Sequence, residues 1–155
     1  MPETPTYGDI KLWKHKGYEL PQDAPLIIGA LSRLIYYEMM IHLKPLPVIL
    51  AGIRGTSRKG SPSLSREDAM MRLDKLWRVC GFGMSRLLRN PRTCLRRSLV
   101  LYRWCRMHGV ECRLFVGVGK DKNALKGHAW ISVYGQIYRE DPLLLAREYT
   151  VMLEG

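Results

Sequence analysis

Apolar residues recur at helical spacing from about Pro25 to Leu43. The stripe is Leu26, Ile27, Ala30, Leu31, Leu34, Tyr37, Met40 and Ile41, which predicts an amphipathic helix. Pro45 and Pro47 end it, and Val48 to Ile53 follows as a short apolar piece. Arg54 to Ser63 is rich in Gly, Ser and basic residues and reads as a loop. Ser65, with Asp68 three positions on, begins a helix in the manner of a capping box. Met70, Leu73, Leu76, Trp77 and Cys80 form its stripe, and Gly81-Phe82-Gly83 breaks it. Asn90-Pro91 signals a turn. Thr93 is placed to cap a helix from Cys94 to His108, closed by Gly109. Leu95, Leu99, Tyr102 and Cys105 share one face of it, with Leu101 and Trp104 on the next, so it should be largely buried.

The pattern then changes period. Cys112 to Val118 is β-branched and aromatic and reads as a strand. Gly119 to Gly127 is a polar loop with three lysines. His128 to Tyr134 is a second strand, Gly135 a turn, Gln136 to Glu140 a third, and Tyr149 to Leu153 a last one. A helical first half followed by helix, strand and hairpin predicts an α+β fold, not an alternating parallel one. The expected organisation is a helical region over 1–90 that docks partners and a core over 91–155, together one compact domain.

Composition narrows the classes. A chain of 155 residues with 46% hydrophobic and 25% charged residues can build one core without disulfide staples. Charge is the outlier, at +11 with a pI near 9.8. That balance points to an acidic partner without choosing among nucleic acid, an anionic membrane surface and an acidic peptide. The four cysteines contain no Cys-x-x-Cys pair, so no metal site is predicted, and reduced thiols in a cytoplasmic protein are the default. Met1 to Asp9 lacks the basic start of a secretory signal. Leu26 to Ile53 carries Arg33, Glu38, His42, Lys44 and two prolines; it is not read as a span, which needs about 20 nearly charge-free residues.

Cys94 stands where a helix N-terminus is expected. Free backbone N–H groups and the positive end of the helix dipole lower a thiol pKa there, and Arg92, Arg96 and Arg97 add positive field. Cys80, Cys105 and Cys112 fall on apolar stripes and read as core. His15, His42 and His108 read as surface or helix-end residues. His128 opens a strand directly after a Gly-containing loop. If Tyr134-Gly135 is a two-residue loop, the ladder sets His128 opposite Asp141; a three-residue loop shifts the register and brings Glu140 to its face. A thiol, an imidazole and an acid to orient it are the parts of acyl transfer through a thioester.

The run Cys94-Leu95-Arg96-Arg97-Ser98-Leu99, then Gly109, Leu114-Phe115-Val116-Gly117-Val118, His128-Ala129-Trp130-Ile131 and Gly135 with a following acid resembles the transglutaminase-like cysteine peptidases of lasso-peptide biosynthesis, the leader-removing B proteins. The resemblance spans residues 92–153. It implies a papain-like core with the Cys on a helix and the His and acid on adjacent strands. It implies a Cys94 nucleophile, a His128 base and an acidic third member, whose family position is Glu140. The hairpin argument ranks Asp141 ahead of it. Arg97 and Ser98 match residues supporting the site, and Trp130 matches the aromatic that shields the His. No cofactor is implied. The implied partners are a precursor peptide, a separate leader-recognition protein and an ATP-dependent macrolactam synthetase. The leader-recognition domain of some relatives is not seen in the first 90 residues, so the chain reads as the stand-alone peptidase half.

Two readings without catalysis compete. Between Arg86 and Lys126 there are eleven basic and two acidic residues. Arg92, Arg96, Arg103 and Arg106 fall near one face of the proposed helix, a footprint for phosphates. No nucleic-acid motif accompanies it, and no nucleic-acid partner is expected. The other is a membrane-surface protein using the N-terminal amphipathic helix.

Overall fold

The computed structural model describes residues 21–56, 64–89 and 93–155. The expectations for the first 20 residues, including His15, for most of the 54–63 loop, and for Asn90-Pro91 and Arg92 lie outside them. Helix α1 is Ala24–Leu43, α2 Leu46–Arg54, α3 Arg66–Phe82 and α4 Cys94–Met107. Strands β1 (Cys112–Asp121), β2 (Ala124–Val133) and β3 (Gln136–Ile137) follow, then a short helix α5 (Pro142–Glu148) and β4 (Thr150–Glu154). The four strands form one antiparallel sheet in the order β3-β2-β1-β4. The fold is α+β.

One core runs through both halves. Leu34 and Tyr37 of α1, Leu50 and Ile53 of α2, Leu73 and Leu76 of α3, and Leu99 and Cys105 of α4 join Leu114 and Ile131 of the sheet. Every apolar residue of the α1 stripe packs there. The opposite face of α1 exposes Ile28, Ile35, Tyr36, Met39 and Leu43. By length and composition alone α1 could cross a membrane, but Glu38 on it accepts a charged bond from Arg96 of α4.

Several local readings are corrected or completed. Val48 to Ile53 is helical: Pro45 sits at the N-cap and Pro47 in the first turn of α2, where a missing N–H and a fixed φ are tolerated. Gly81-Phe82-Gly83 does not break α3, which runs on as a π-helical turn over Gly83–Leu87. Gly83 is there for space, since a Cβ would lie 2.7 Å from Leu31 of α1. The polar loop over 119–127 is instead mostly strand. Cys112 pairs with Val133 and the ladder continues to Asp121 opposite Ala124, so the turn is only Lys122-Asn123. The third strand is two residues long, and α5 was not expected.

Ser65 caps α3 as predicted, accepting from the Asp68 N–H at 3.1 Å and donating to its carboxylate at 2.7 Å. Strand β1 must pass close to the α5–β4 turn. At Gly119 a Cβ would lie 2.3 Å from the Glu148 carbonyl oxygen, whereas at Gly127, across the same hairpin, it would meet nothing within 4 Å. Gly119→Ala should therefore destabilise the protein by about 1–3 kcal/mol, and Gly127→Ala by less than about 0.5 kcal/mol. Urea unfolding midpoints of the two variants check this.

Candidate active site

Cys94 is the first residue of α4, and Thr93 before it makes no side-chain bond to the helix. The expected threonine cap is thus absent, so the orphan N–H groups of the first turn are not taken by a hydroxyl. The thiol of Cys94 uses one of them, that of Leu95, instead. It is half-buried and hydrogen-bonds with the His128 side chain and with backbone groups of Ala129 and Leu95. Burial opposes the thiolate, but these hydrogen bonds outweigh it and hold the Cys94 pKa below its ordinary value.

His128 lies in β2, and its Nε2 is 2.6 Å from Glu140 Oε2. Nδ1 is then the nitrogen left for the thiol. Bonds to Cys94 and to Glu140 raise the imidazole pKa to about 9 against the opposing effect of burial. A depressed thiol beside a raised imidazole favours the thiolate–imidazolium pair, the activated form of a cysteine nucleophile. The other thiols lack this setting. Burial pushes Cys80 up to about 12. The Cys112 thiol, helped by burial, raises Cys105.

Asp141, ranked first from the hairpin, is not opposite His128. The two-residue turn and the pair Val133–Gln136 are as predicted, but the ladder stops at Ser132–Ile137. Asp141 Oδ1 accepts instead from the N–H of Leu143 at 2.9 Å and caps α5. Glu140 is the acid on the imidazole.

Ser98, one turn into α4, is buried and donates to the Ala129 carbonyl at 3.1 Å. That bond locks the helix carrying Cys94 to the strand carrying His128. Trp130 is buried with its ring stacked near His128, at 5.7 Å between centroids, and Tyr149 lies 5.1 Å from the imidazole. Gly117, opposite His128 in the hairpin, leaves room for this: a Cβ would lie 2.9 Å from the Trp130 ring. Arg97 lies over the Trp77 ring at 4.5 Å, and its charge interacts with Glu140 and with Cys94 as expected. Arg139 covers Trp77 as well, at 4.7 Å, and donates to Asp74. Arg139 has φ +57°, a left-handed turn directly before Glu140. Trp77, Asp74 and Arg139 thus fix the segment that presents Glu140. Sequence reading took Trp77 for a core residue and did not single out Arg139 or Tyr149, whose partners are distant in the chain. Arg96, expected to add field at Cys94, points away to Glu38 of α1.

A comparison with protein families matches residues 39–154 to the transglutaminase-like superfamily. The chain belongs to that superfamily. It includes cysteine peptidases, and the match takes in Cys94, His128 and Glu140 together with most of the helical half. No curated protein and no solved structure matches the chain significantly.

Two outcomes follow from the geometry. In an NMR titration His128 should have its midpoint near pH 9, and Glu140→Gln or Arg139→Gln should lower it, whereas Asp141→Asn should leave it in place. Because the folded value lies above the unfolded value of about 6.5, this pairing stabilises the fold fully below that pH and the contribution is lost as pH rises through about 9. Alkylation of Cys94 by iodoacetamide at pH 7 should slow roughly tenfold or more in His128→Ala, as the thiolate fraction falls; an unchanged rate would remove the ion pair from the account.

Proposed function

We propose that the chain is a cysteine peptidase that removes the leader from a ribosomally made lasso-peptide precursor before macrolactam closure. The observation that carries the chemistry is the Cys94 thiol at a helix start, bonded to an imidazole that Glu140 holds. The residues shared with the leader-removing B proteins, from Cys94-Leu95-Arg96-Arg97-Ser98 to His128-Ala129-Trp130, supply the substrate and favour hydrolysis over transfer to an amine.

In this reading the Cys94 thiolate attacks the carbonyl carbon at the leader–core junction. The C–N bond breaks as the His128 imidazolium gives its proton to the departing amine, the new N-terminus of the core. Water then attacks the thioester, His128 takes its proton, and the C–S bond breaks to restore the thiolate. Glu140 keeps the imidazole oriented and stabilises its charged form. The backbone N–H of Cys94 is the donor for the developing oxyanion. No metal or organic cofactor takes part. The partners are the precursor, a separate leader-recognition protein and an ATP-dependent macrolactam synthetase, all in the cytoplasm. The exposed apolar face of α1, Ile28 to Leu43, supports a docking role for the helical half. The nucleic-acid reading loses support, because Arg96 is bonded to Glu38 and Arg106 donates to the Arg54 carbonyl where a solvated stripe was expected.

Mixing the protein with the leader-recognition protein and the precursor should release a leader fragment by mass spectrometry. Cys94→Ala should abolish release, and Glu140→Gln should slow it by roughly 10- to 1,000-fold, with Asp141→Asn close to wild type. Equal cleavage by Cys94→Ala would overturn the assignment of the nucleophile.

A further inference from the structure

A concavity of about 610 Å³ lies between α1, α3 and α4, and Cys94 is not among its lining residues. Leu26, Met71 and Trp104 give it apolar walls, and Arg33, Arg72 and Arg103 line it with charge. Among the described residues, none of these three guanidinium groups has a carboxylate bonded to it. Arg33 donates to the Met107 sulfur at 3.8 Å, and the Arg103 Nε is buried without a hydrogen-bond partner. The two acids at the groove already have partners, Asp23 the Lys75 ammonium, which also lines it, at 2.9 Å, and Asp68 the Ser65 hydroxyl at 2.7 Å. A buried charged donor left unsatisfied is costly. A carboxylate in the groove would neutralise the surrounding charge and pair with the guanidinium groups that line it.

We propose that this groove binds an acidic peptide segment, with its carboxylates on Arg33, Arg72 and Arg103 and an apolar side chain against Leu26 and Trp104. Its size suits a peptide better than a lone ion, since about 300–1,000 Å³ is the range of organic-ligand pockets. Its mixed lining asks for apolar and acidic groups in one ligand. Arg103 lies nine positions along α4 from Cys94, about 14 Å along the axis and two and a half turns round it, so the groove opens on the far side of α4 from the thiol and a bound segment reaches Cys94 only by passing round the helix. The identity of the ligand as part of a substrate rests on the peptidase reading above; the binding itself does not.

The test is fluorescence anisotropy on the full chain with a labelled peptide of alternating Glu and Leu, a matched Lys and Leu peptide, and inorganic phosphate as competitor. The Glu-Leu peptide should bind saturably, and Arg103→Gln should weaken it about tenfold or more. Arg72→Gln, at an exposed position, should weaken it too, and reports on the groove even if Arg103→Gln fails to fold. Cys94→Ala should bind as wild type does, which separates this result from the fate of the peptidase reading. Absence of binding, equal binding of the Lys-Leu peptide, unchanged binding in Arg72→Gln, or displacement by millimolar phosphate would each overturn the proposal.

Discussion

The hydroxyl of Ser98 bonded to the carbonyl of Ala129 is the contact on which the site depends. Cys94 and His128 sit on elements far apart in sequence, and neither carries information about the other. Their meeting requires α4 to dock on β2 in a single register. Hydrophobic burial by Leu99, Leu101 and Ile131 drives the docking but is indifferent to small slides. A buried hydroxyl facing a buried carbonyl is not, because either group left unpaired is penalised. The hydrogen bond therefore converts a greasy contact into a defined offset. That offset puts the thiol at the first turn of α4 within reach of the imidazole at the exposed end of β2.

The same logic explains where the excess basic charge goes. Arg96 crosses to Glu38 and ties α4 to α1. Arg97 and Arg139 both lie over the Trp77 ring, which holds α3 against both α4 and the segment bearing Glu140. Arg106 reaches the end of α2. Arginine suits these places because its plane stacks on aromatic rings and stays charged when partly desolvated. Much of what composition presents as an anion-seeking surface is internal cross-bracing of the helices. Arg33, Arg72 and Arg103, which this bracing does not use, line the groove between α1, α3 and α4.

The helices and the candidate nucleophile and base were legible in the sequence because their signals are local. A 3.6-residue stripe marks α1, α3 and α4, and a cysteine after a predicted cap or a histidine opening an apolar strand is visible by inspection. What escaped depends on tertiary context. Pro45 and Pro47 read as terminators because a proline cannot continue the helix before it, but the same residue fits the first turn of a new one, and the packing of Ile49, Leu50 and Ile53 into the core favours α2. The 119–127 stretch read as a loop because its lysines are polar. A hairpin that extends beyond the core needs no apolar face, only a partner strand. Trp77 and Arg139 meet across a sequence gap that no period connects.

The choice between two adjacent acids shows how a local rule can be followed correctly and still mislead. The turn at Tyr134-Gly135 has the predicted length, and both residues take positive φ, as a two-residue hairpin requires. Continuing the ladder would then set Asp141 opposite His128. The ladder does not continue, because Asp141-Pro142 is a helix start: the carboxylate accepts first-turn N–H groups and the proline fits where no donor is needed. The chain must leave the sheet before that point, and the left-handed turn at Arg139, held by Asp74 and Trp77, is where it does so. Swinging the backbone out of register is what turns Glu140 toward the imidazole. The aspartate that caps α5 and the glutamate that holds His128 are therefore two consequences of one departure from the sheet, and neither role could pass to the other residue without rebuilding the turn.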